Sequence, residues 1–288
     1  MTIHIAKYFL TLGKTFSKEL GYNNIGNVFD IPKVGKYNIQ KTNQMKRRSF
    51  IHKSSFFGMA LTTMPHSIWP TQEEYTVEEL MGKAEIKLHG EGINLRKEAH
   101  DAFLEMKKAA YSDGIDLKIV SSFRDFYRQE SIWERKYNQY TESDNMDPLD
   151  AIDKIIEYST IPGTSRHHWG TDIDIIDGYR KTTGDVLVPE KFEEEGPFVA
   201  FKKWMDENSR KYGFYLVYTN EPKRKGFKYE PWHYSYAPIS IPMLAAYRSK
   251  NILQLIQKEE FSGKEHFTAG FIRSYIRNNI LDINPELL

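Results

Sequence analysis

Two short segments of this chain carry the residue types that a hydrolytic metal site requires. Residues 165–174 read S-x-H-x-x-G-x-x-x-D and supply His167 and Asp174. Residues 230–233 read E-x-x-H and add a second imidazole and a spare carboxylate. A catalytic zinc ion typically takes three protein ligands and leaves a fourth position for water, and a nearby carboxylate can act as general base on that water. The two segments therefore contain the parts of a hydrolytic zinc site.

The composition restricts how such a metal could be held. None of the 288 residues is a cysteine, so disulfides and thiolate sites are excluded and any ligands must be His, Asp or Glu. Apolar residues make up 40% and charged residues 27% of the chain, which allows a buried core and argues against global disorder. No apolar run reaches the roughly 18 residues that span a bilayer, so we expect no integral membrane span in the mature chain.

The net charge of +1 conceals an uneven distribution. Residues 1–64 carry ten Lys and Arg residues against two acidic ones, whereas the remainder carries 30 against 37. A nucleic-acid-binding protein would show a basic face, so the acidic body argues against a nucleic-acid partner.

The basic head contains a pattern typical of a twin-arginine export signal. Residues 45–53 read MKRRSFIHK, and residues 56–64 form a short apolar segment after them. We therefore predict an export-signal segment at residues 45–70 and a protein located in the periplasm or cell envelope. Residues 1–44 would then be an upstream extension read from an early start codon, and we expect it to be disordered. A disordered basic arm without a targeting role is the alternative.

Hydrophobic spacing from about residue 75 onward predicts a folded domain. It predicts strands at 117–120, 173–176, 214–218 and 233–236, and helices at 95–110, 125–140, 148–158 and 197–212, with two more helices after 239. This order of elements indicates an α+β fold with a mainly antiparallel central sheet flanked by helices. We expect a zinc peptidase domain over residues 75–238 and a C-terminal helical extension, residues 239–288, packed on it.

The spacing also restricts how the candidate ligands can meet. His167 and Asp174 are seven residues apart, and an odd separation on one unbroken strand places two side chains on opposite faces. Both can reach one metal only if the chain bends, and Gly170 permits such a bend. Pro231 disfavours helix at Glu230, so we expect Glu230 to end a loop and His233 to open a strand.

Taken together, the motifs resemble those of the zinc D-alanyl-D-alanine carboxypeptidases of the VanY type, within the LAS metallopeptidase group. A third element also fits, the sequence Ser121-Ser122-Phe123-Arg124 with Gln129 five residues after the arginine. The resemblance covers roughly residues 95–236 and implies the LAS/hedgehog-like metallopeptidase fold with Zn²⁺ as cofactor.

The resemblance implies a role for each matching residue. His167, Asp174 and His233 look like the zinc ligands, and Glu230 looks like the general base. Arg124 resembles the cation that stabilises the oxyanion. Residues that resemble substrate contacts are Gln129, Ser165 and Ser122.

Two positions leave alternatives open. The family often has a small residue where this chain has Asp172, and this extra carboxylate could compete for the metal or change the local charge; we expect Asp174 to be the ligand. Trp169 flanks the motif and can either form a wall of the substrate pocket or belong to the core.

The resulting expectation is a carboxypeptidase that removes C-terminal D-alanine from peptidoglycan stem peptides. An L,D-carboxypeptidase or an endopeptidase acting on the same wall peptides is the nearest alternative. A binding module that keeps a structural zinc ion without catalysis is an alternative of a different class, but it would need neither Glu230 nor Arg124.

Overall fold

A four-stranded antiparallel sheet forms the centre of the protein. The computed structural model describes residues 75–288, so the predicted upstream extension (1–44) and export-signal segment (45–70) lie outside the described residues. The spatial strand order is β1-β2-β4-β3, and every neighbouring pair is antiparallel. The strands are β1 (Leu117–Ser121), β2 (Asp172–Asp177), β3 (Phe214–Leu216) and β4 (His233–Tyr236).

Eight α-helices surround this sheet in the described part of the chain. They are α1 (Val77–Leu80), α2 (Lys97–Ser112), α3 (Phe126–Asn138), α4 (Pro148–Ile155), α5 (Val199–Asn208), α6 (Ala237–Ser249), α7 (Ile252–Lys258) and α8 (Ala269–Tyr275). Short π-helical turns, Gln139–Ser143 and Ile276–Ile280, extend α3 and α8. Single 3-10 turns lie at Arg166–Trp169, Pro189–Phe192, Ser209–Tyr212, Lys264–His266 and Pro285–Leu287. The predicted α+β class with an antiparallel sheet flanked by helices is confirmed.

The element boundaries differ from the sequence predictions in identifiable places. Helix α2 begins at Lys97, because Asn94 adopts a left-handed conformation (φ 51°) and no side chain caps the helix. Strand β3 ends at Leu216, two residues before the predicted end. The segment after residue 239 forms most of α6, then α7 and α8, where two helices were predicted.

The sheet divides its side chains between a core face and a polar face. Ile173, Ile175 and Tyr234 point into an apolar cluster that includes residues of α2 and α5. Their neighbours in the alternating pattern, Asp172, Asp174, His233 and Ser235, share the opposite face. All four of these polar residues are nevertheless buried.

A second apolar cluster joins α3 and α4 to the C-terminal helices. Trp133 on α3 lies against Phe261 and Phe267, and its indole nitrogen donates a hydrogen bond to the carbonyl of Ser262. Eight apolar residues after residue 250 are buried in this cluster: Ile252, Ile256, Phe267, Ile272, Tyr275, Ile280, Ile283 and Leu287. The C-terminal segment thus forms part of the core in the structure. None of the helices among residues 75–288 is both long and apolar enough to cross a membrane.

Candidate metal centre

A 3-10 turn presents His167 before the chain enters β2. The hydroxyl of Ser165 caps this turn by accepting a hydrogen bond from the backbone NH of His167 (3.3 Å). Gly170 ends the turn in a left-handed conformation (φ 66°), which residues other than glycine rarely adopt. This is the bend at Gly170 that the seven-residue spacing requires, and it places His167 and Asp174 on one side of the sheet.

The register of the sheet brings the second histidine to the same place. Asp174 on β2 lies directly opposite His233, the first residue of β4. One ligand atom from each of His167, Asp174 and His233 lies within 4.8 Å of the others. The imidazole rings have their centroids 4.7 Å apart, so the two histidines can share one ion.

Each imidazole has one nitrogen engaged and one directed toward the site. Nδ1 of His167 donates to the carbonyl of Ser122 (2.7 Å), which leaves Nε2 facing Asp174. His233 is turned the other way, because its Nε2 contacts Oδ2 of Asp172 (3.0 Å) and its Nδ1 faces Asp174 and Glu230. Such outer partners fix ring orientation and tautomer in metal sites.

An unsatisfied atom indicates that the site fits a cation. Oδ1 of Asp174 is buried and has no hydrogen-bond partner among residues 75–288. A buried carboxylate oxygen without a partner costs about 1–3 kcal/mol or more, so its lone pairs require a ligand. Two imidazole nitrogens and one carboxylate oxygen form a donor set that suits zinc and leaves a fourth position open. The residues present therefore fit a catalytic zinc ion.

The surroundings of the two histidines change their pKa values in opposite directions. Burial lowers the pKa of His167, which favours the neutral imidazole that metal binding needs. Burial also opposes the charge on His233, but hydrogen bonds with Asp172 and Glu230 raise the pKa of His233 to about 10. This shift favours the protonated form of His233 beside these carboxylates.

Glu230 lies beside the candidate ligands without being one of them. Its Oε2 is 2.9 Å from Nδ1 of His233, and the residue is buried. Burial raises the pKa of Glu230, and the nearby Asp174 carboxylate adds to this effect, while His233 and Arg124 oppose it. A carboxyl group with a raised pKa next to a metal site is suited to take and return a proton.

Arg124 supplies a fixed positive charge on the other side of the site. Its Nη1 donates to Oε1 of Gln129 (2.6 Å), and its Nη2 donates to the hydroxyl of Ser121 (3.2 Å). Its backbone NH also donates to the carbonyl of His167 (3.1 Å). Burial lowers the pKa of Arg124 while Asp174 and Glu230 raise it, and guanidinium groups remain charged in proteins.

These groups line a cavity of about 530 Å³, a size suited to a small-molecule or peptide-end ligand. Its wall contains Arg124, Ser165, His167, Asp174, Glu230 and His233 among the predicted site residues. It also contains residues that the sequence did not single out for the site: Arg135, Lys136, Arg166, Asp185, Glu190, Tyr218 and Trp232. These come from α3, from the 3-10 turns at Arg166–Trp169 and Pro189–Phe192, and from connecting loops, and only their spatial position marks them.

Three predicted substrate contacts lie outside the cavity wall. Gln129 is fully buried and holds Arg124, and its amide nitrogen donates to the carbonyl of Thr160 (2.8 Å). Ser122 is buried and uses its carbonyl to orient His167. Trp169 belongs to the core, where its indole nitrogen donates to the carbonyl of Leu80 (3.1 Å). In this structure these three residues do not line the cavity, and they pack beneath the residues that do.

Of the two alternatives weighed from the sequence, Asp172 fits the change in local charge, because its hydrogen bond with His233 raises the pKa of that histidine. It lies on the same face as Asp174, as expected, but its carboxylate points to the far side of His233 and pairs with Arg166 (Nε–Oδ2 2.9 Å). Burial alone would raise the pKa of Asp172, but Arg166 and the two histidines hold it well below its usual range. It is not part of the three-residue cluster that could hold a metal.

Comparison with known proteins gives results that agree with this geometry. Residues 92–239 match the model of the VanY family, described as D-alanyl-D-alanine carboxypeptidase. A putative carboxypeptidase, YodJ, of Bacillus subtilis is 31% identical over 174 residues, 60% of this chain and 53% of that protein. A D-alanyl-D-alanine carboxypeptidase of Enterococcus faecium is 27% identical over 197 residues, 65% of this chain and 54% of that protein. This chain thus spans about half the length of these two relatives.

Solved structures give similar matches. VanYB in complex with D-alanine-D-alanine is 22% identical, with a TM-score of 0.44, over 62% of this chain and 92% of that one. The LdcB LD-carboxypeptidase is 26% identical, with a TM-score of 0.40, over 62% of this chain and 75% of that one. Because the family model covers half of the chain and includes every residue of the candidate metal centre, this chain belongs to the VanY family of D-alanyl-D-alanine carboxypeptidases.

Proposed function

We propose that this protein is a zinc-dependent carboxypeptidase that removes C-terminal D-alanine from peptidoglycan stem peptides. The observation that carries the proposal is the meeting of His167, Asp174 and His233 in one cavity with Glu230 and Arg124. Family membership supports the carboxypeptidase activity. The similarity to the D-alanyl-D-alanine carboxypeptidase of Enterococcus faecium supports a D-alanyl-D-alanine end as the place where the peptide is cut.

The residues of this chain can perform amide hydrolysis in a defined order. A zinc ion held by the two histidines and Asp174 would supply a Lewis acid that lowers the pKa of a water molecule toward ~7. Glu230 accepts the proton of the attacking water and returns it to the departing amine. The guanidinium of Arg124 stabilises the negative charge that develops on the carbonyl oxygen.

The charges of the cavity suit an anionic peptide end. Lys136 lines the cavity near Arg124, and within residues 75–288 its side chain makes no hydrogen bond or ion pair. A stem peptide that ends in D-alanine carries a terminal carboxylate, and cations in a partly desolvated cavity attract such a group strongly. The cavity therefore favours a substrate with a free C-terminus, as a carboxypeptidase requires.

The decisive experiment measures D-alanine release by mass spectrometry from defined tripeptide, tetrapeptide and pentapeptide stems. We expect the zinc-loaded protein to shorten the pentapeptide by one D-alanine, and a chelator to stop the reaction until zinc is restored. Release from the tetrapeptide alone would identify an L,D-carboxypeptidase instead. Cleavage inside a stem would identify an endopeptidase, and bound zinc without turnover on any stem would contradict an enzymatic role.

We further propose that the protein is exported to the cell envelope, where peptidoglycan lies. The support comes from the sequence, namely the Arg47-Arg48 pair ahead of the apolar residues 56–64. Cell fractionation of the native chain and of the Arg47→Lys/Arg48→Lys variant tests this proposal. Export of the native chain and retention of the variant are expected, and equal distribution of both would contradict it.

A further inference from the structure

Asp172 lies at the centre of a buried polar network behind the metal centre. Its Oδ1 accepts hydrogen bonds from the hydroxyls of Ser235 (2.6 Å) and Thr171 (2.8 Å). Its Oδ2 accepts from Nε of Arg166 (2.9 Å) and lies 3.0 Å from Nε2 of His233. Asp172 is fully buried, and so are Thr171 and Ser235.

This network holds the carboxylate in one position. Arg166 also donates from Nη2 to the hydroxyl of Ser235 (2.7 Å). Its guanidinium therefore connects Asp172 on β2 with Ser235, the residue opposite it on β4. A carboxylate has about four acceptor sites, and four donors surround that of Asp172. No lone pair of Asp172 is therefore free for a metal ion, unlike Oδ1 of Asp174.

The fixed carboxylate determines which nitrogen of His233 faces the site. Arg166, Thr171 and Ser235 all use the Asp172 oxygens as acceptors. The imidazole nitrogen that lies 3.0 Å from Oδ2 is therefore also placed to donate a proton to this carboxylate. Nε2 is that nitrogen, and Nδ1 is consequently the one left with a lone pair when the ring is neutral. His167 is arranged in the opposite sense, since Nδ1 donates to Ser122 and Nε2 faces the site.

We propose that Asp172 is a positioning residue that makes Nδ1 of His233 the ligating nitrogen and keeps the ring oriented toward the cation. The inference rests on the proposed function, because it concerns the same zinc ion. Arg166 acts one step further out by holding the Asp172 carboxylate and the Ser235 hydroxyl in place. The chain thus uses two different imidazole nitrogens, Nε2 of His167 and Nδ1 of His233, at one metal centre.

The first test measures zinc affinity by competition with a chromophoric chelator for the native chain and two variants. In Asp172→Ala the dissociation constant should rise about 10–100-fold, the usual effect of losing an outer partner of a metal-bound histidine. Asp177→Ala is the matched control, because Asp177 is a buried carboxylate on the same strand that contacts Asp116 and Tyr179. Its zinc affinity should equal that of the native chain. Equal affinity in Asp172→Ala, with its fold intact by circular dichroism, overturns the proposal.

A second measurement uses the native chain and does not depend on the folding of any variant. Long-range ¹H–¹⁵N spectra of the zinc-loaded protein, assigned by a His233→Gln variant, report which nitrogen of His233 carries the proton. A protonated Nε2 is the expected result, and a protonated Nδ1 overturns the proposal. If the native chain binds no zinc, the proposed function fails. If it binds zinc through Nε2 of His233, only the role of Asp172 fails.

Discussion

At the scale of single residues, the side chains that can hold a cation are different from the carboxylate that we propose transfers the proton. Three side chains can hold the ion, while Glu230 contacts only Nδ1 of His233 and keeps its second oxygen free of a side-chain hydrogen bond among the described residues. Because burial raises its pKa, Glu230 accepts a proton more readily than an exposed glutamate does. Substitution should therefore affect turnover and zinc content differently.

We predict that Glu230→Gln abolishes most activity and retains zinc. The amide has nearly the shape of the carboxylate but cannot accept the proton of the attacking water, so kcat should fall about 10²–10⁴-fold. Metal analysis of the dialysed variant should still give one zinc per chain. Loss of zinc in proportion to activity would show that Glu230 is a ligand. The matched variant Asp174→Asn should lose both together.

A second residue-scale prediction concerns the support of Arg124. In Gln129→Leu the guanidinium loses the acceptor that holds its Nη1 at 2.6 Å and keeps only the longer hydrogen bond from Nη2 to Ser121 (3.2 Å). We expect kcat to fall, but by less than the loss of about 10²–10³-fold that removing an oxyanion donor causes. The variant Arg124→Met, measured in parallel at equal zinc loading, gives the loss of kcat when the guanidinium is removed altogether. Unchanged kcat in Gln129→Leu would show that Arg124 needs no such support.

The local motifs and the family resemblance predicted His167, Asp174 and His233 as ligands with Glu230 and Arg124 beside them, and the structure brings all five side chains to one cavity. The motifs and the resemblance were insufficient to predict which residues hold these side chains in position. Asp172 and His233 are 61 residues apart, and their contact depends on the register of β2 against β4. Likewise, the resemblance predicted Gln129 as a substrate contact, but only packing shows that Gln129 points at the guanidinium of Arg124 and away from the cavity.

At the scale of elements, the C-terminal helices hold the loop that leads into the metal motif. The hydroxyl of Tyr275 on α8 accepts from the backbone NH of Ile161 (3.1 Å) and contacts the hydroxyl of Thr164 (2.9 Å). Since Thr164 already donates to the carbonyl of Ile161, the Tyr275 hydroxyl must donate to Thr164. The hydroxyl of Tyr247 on α6 donates to the carbonyl of Gly163 (2.8 Å). Residues 161–164 are thus fixed just ahead of Ser165 and His167.

We predict that Tyr275→Phe destabilises the protein and lowers zinc affinity. The substitution leaves the buried backbone NH of Ile161 without its acceptor, at a cost of about 1–3 kcal/mol. Tyr234→Phe is the control, because the buried hydroxyl of Tyr234 has no hydrogen-bond partner in the described part of the chain. It should be neutral or stabilising. Thermal denaturation of both variants, followed by zinc titration, tests the pair; equal melting temperatures would contradict the argument.

Strands and helices up to residue 238 could be predicted because their apolar periodicity is clear, and the structure confirms the antiparallel sheet. The segment after residue 239 was predicted less well. Helix α6 contains Pro242 in its interior, and α7 and α8 have only seven residues each, so local periodicity is weak. What stabilises these helices is their packing against α3 and α4, which single-segment patterns do not show.

At the scale of the whole molecule, the described region forms one compact unit, and this unit extends beyond the residue at which the family match ends. The VanY match ends at residue 239, yet Ile272, Tyr275 and Leu287 are buried in the same cluster as Trp133 and Trp169. The backbone also crosses this boundary, because the NH of Asn284 donates to the carbonyl of Val217 (2.9 Å) just after β3. The C-terminal segment therefore belongs to the core that positions the metal centre.

This leads to the prediction that a chain ending at residue 249 does not fold. Truncation removes eight buried apolar side chains, each worth about 1.5–3 kcal/mol when fully buried. Net stabilities are only about 5–15 kcal/mol, so this loss alone can exceed the whole margin. The control is a chain lacking residues 1–70, since every described core residue lies at or beyond Tyr75. Circular dichroism and zinc binding should show a folded, metal-binding control and an unfolded truncated chain. A truncated chain that melts cooperatively and binds zinc like the control would show that residues 75–249 are sufficient to form the site.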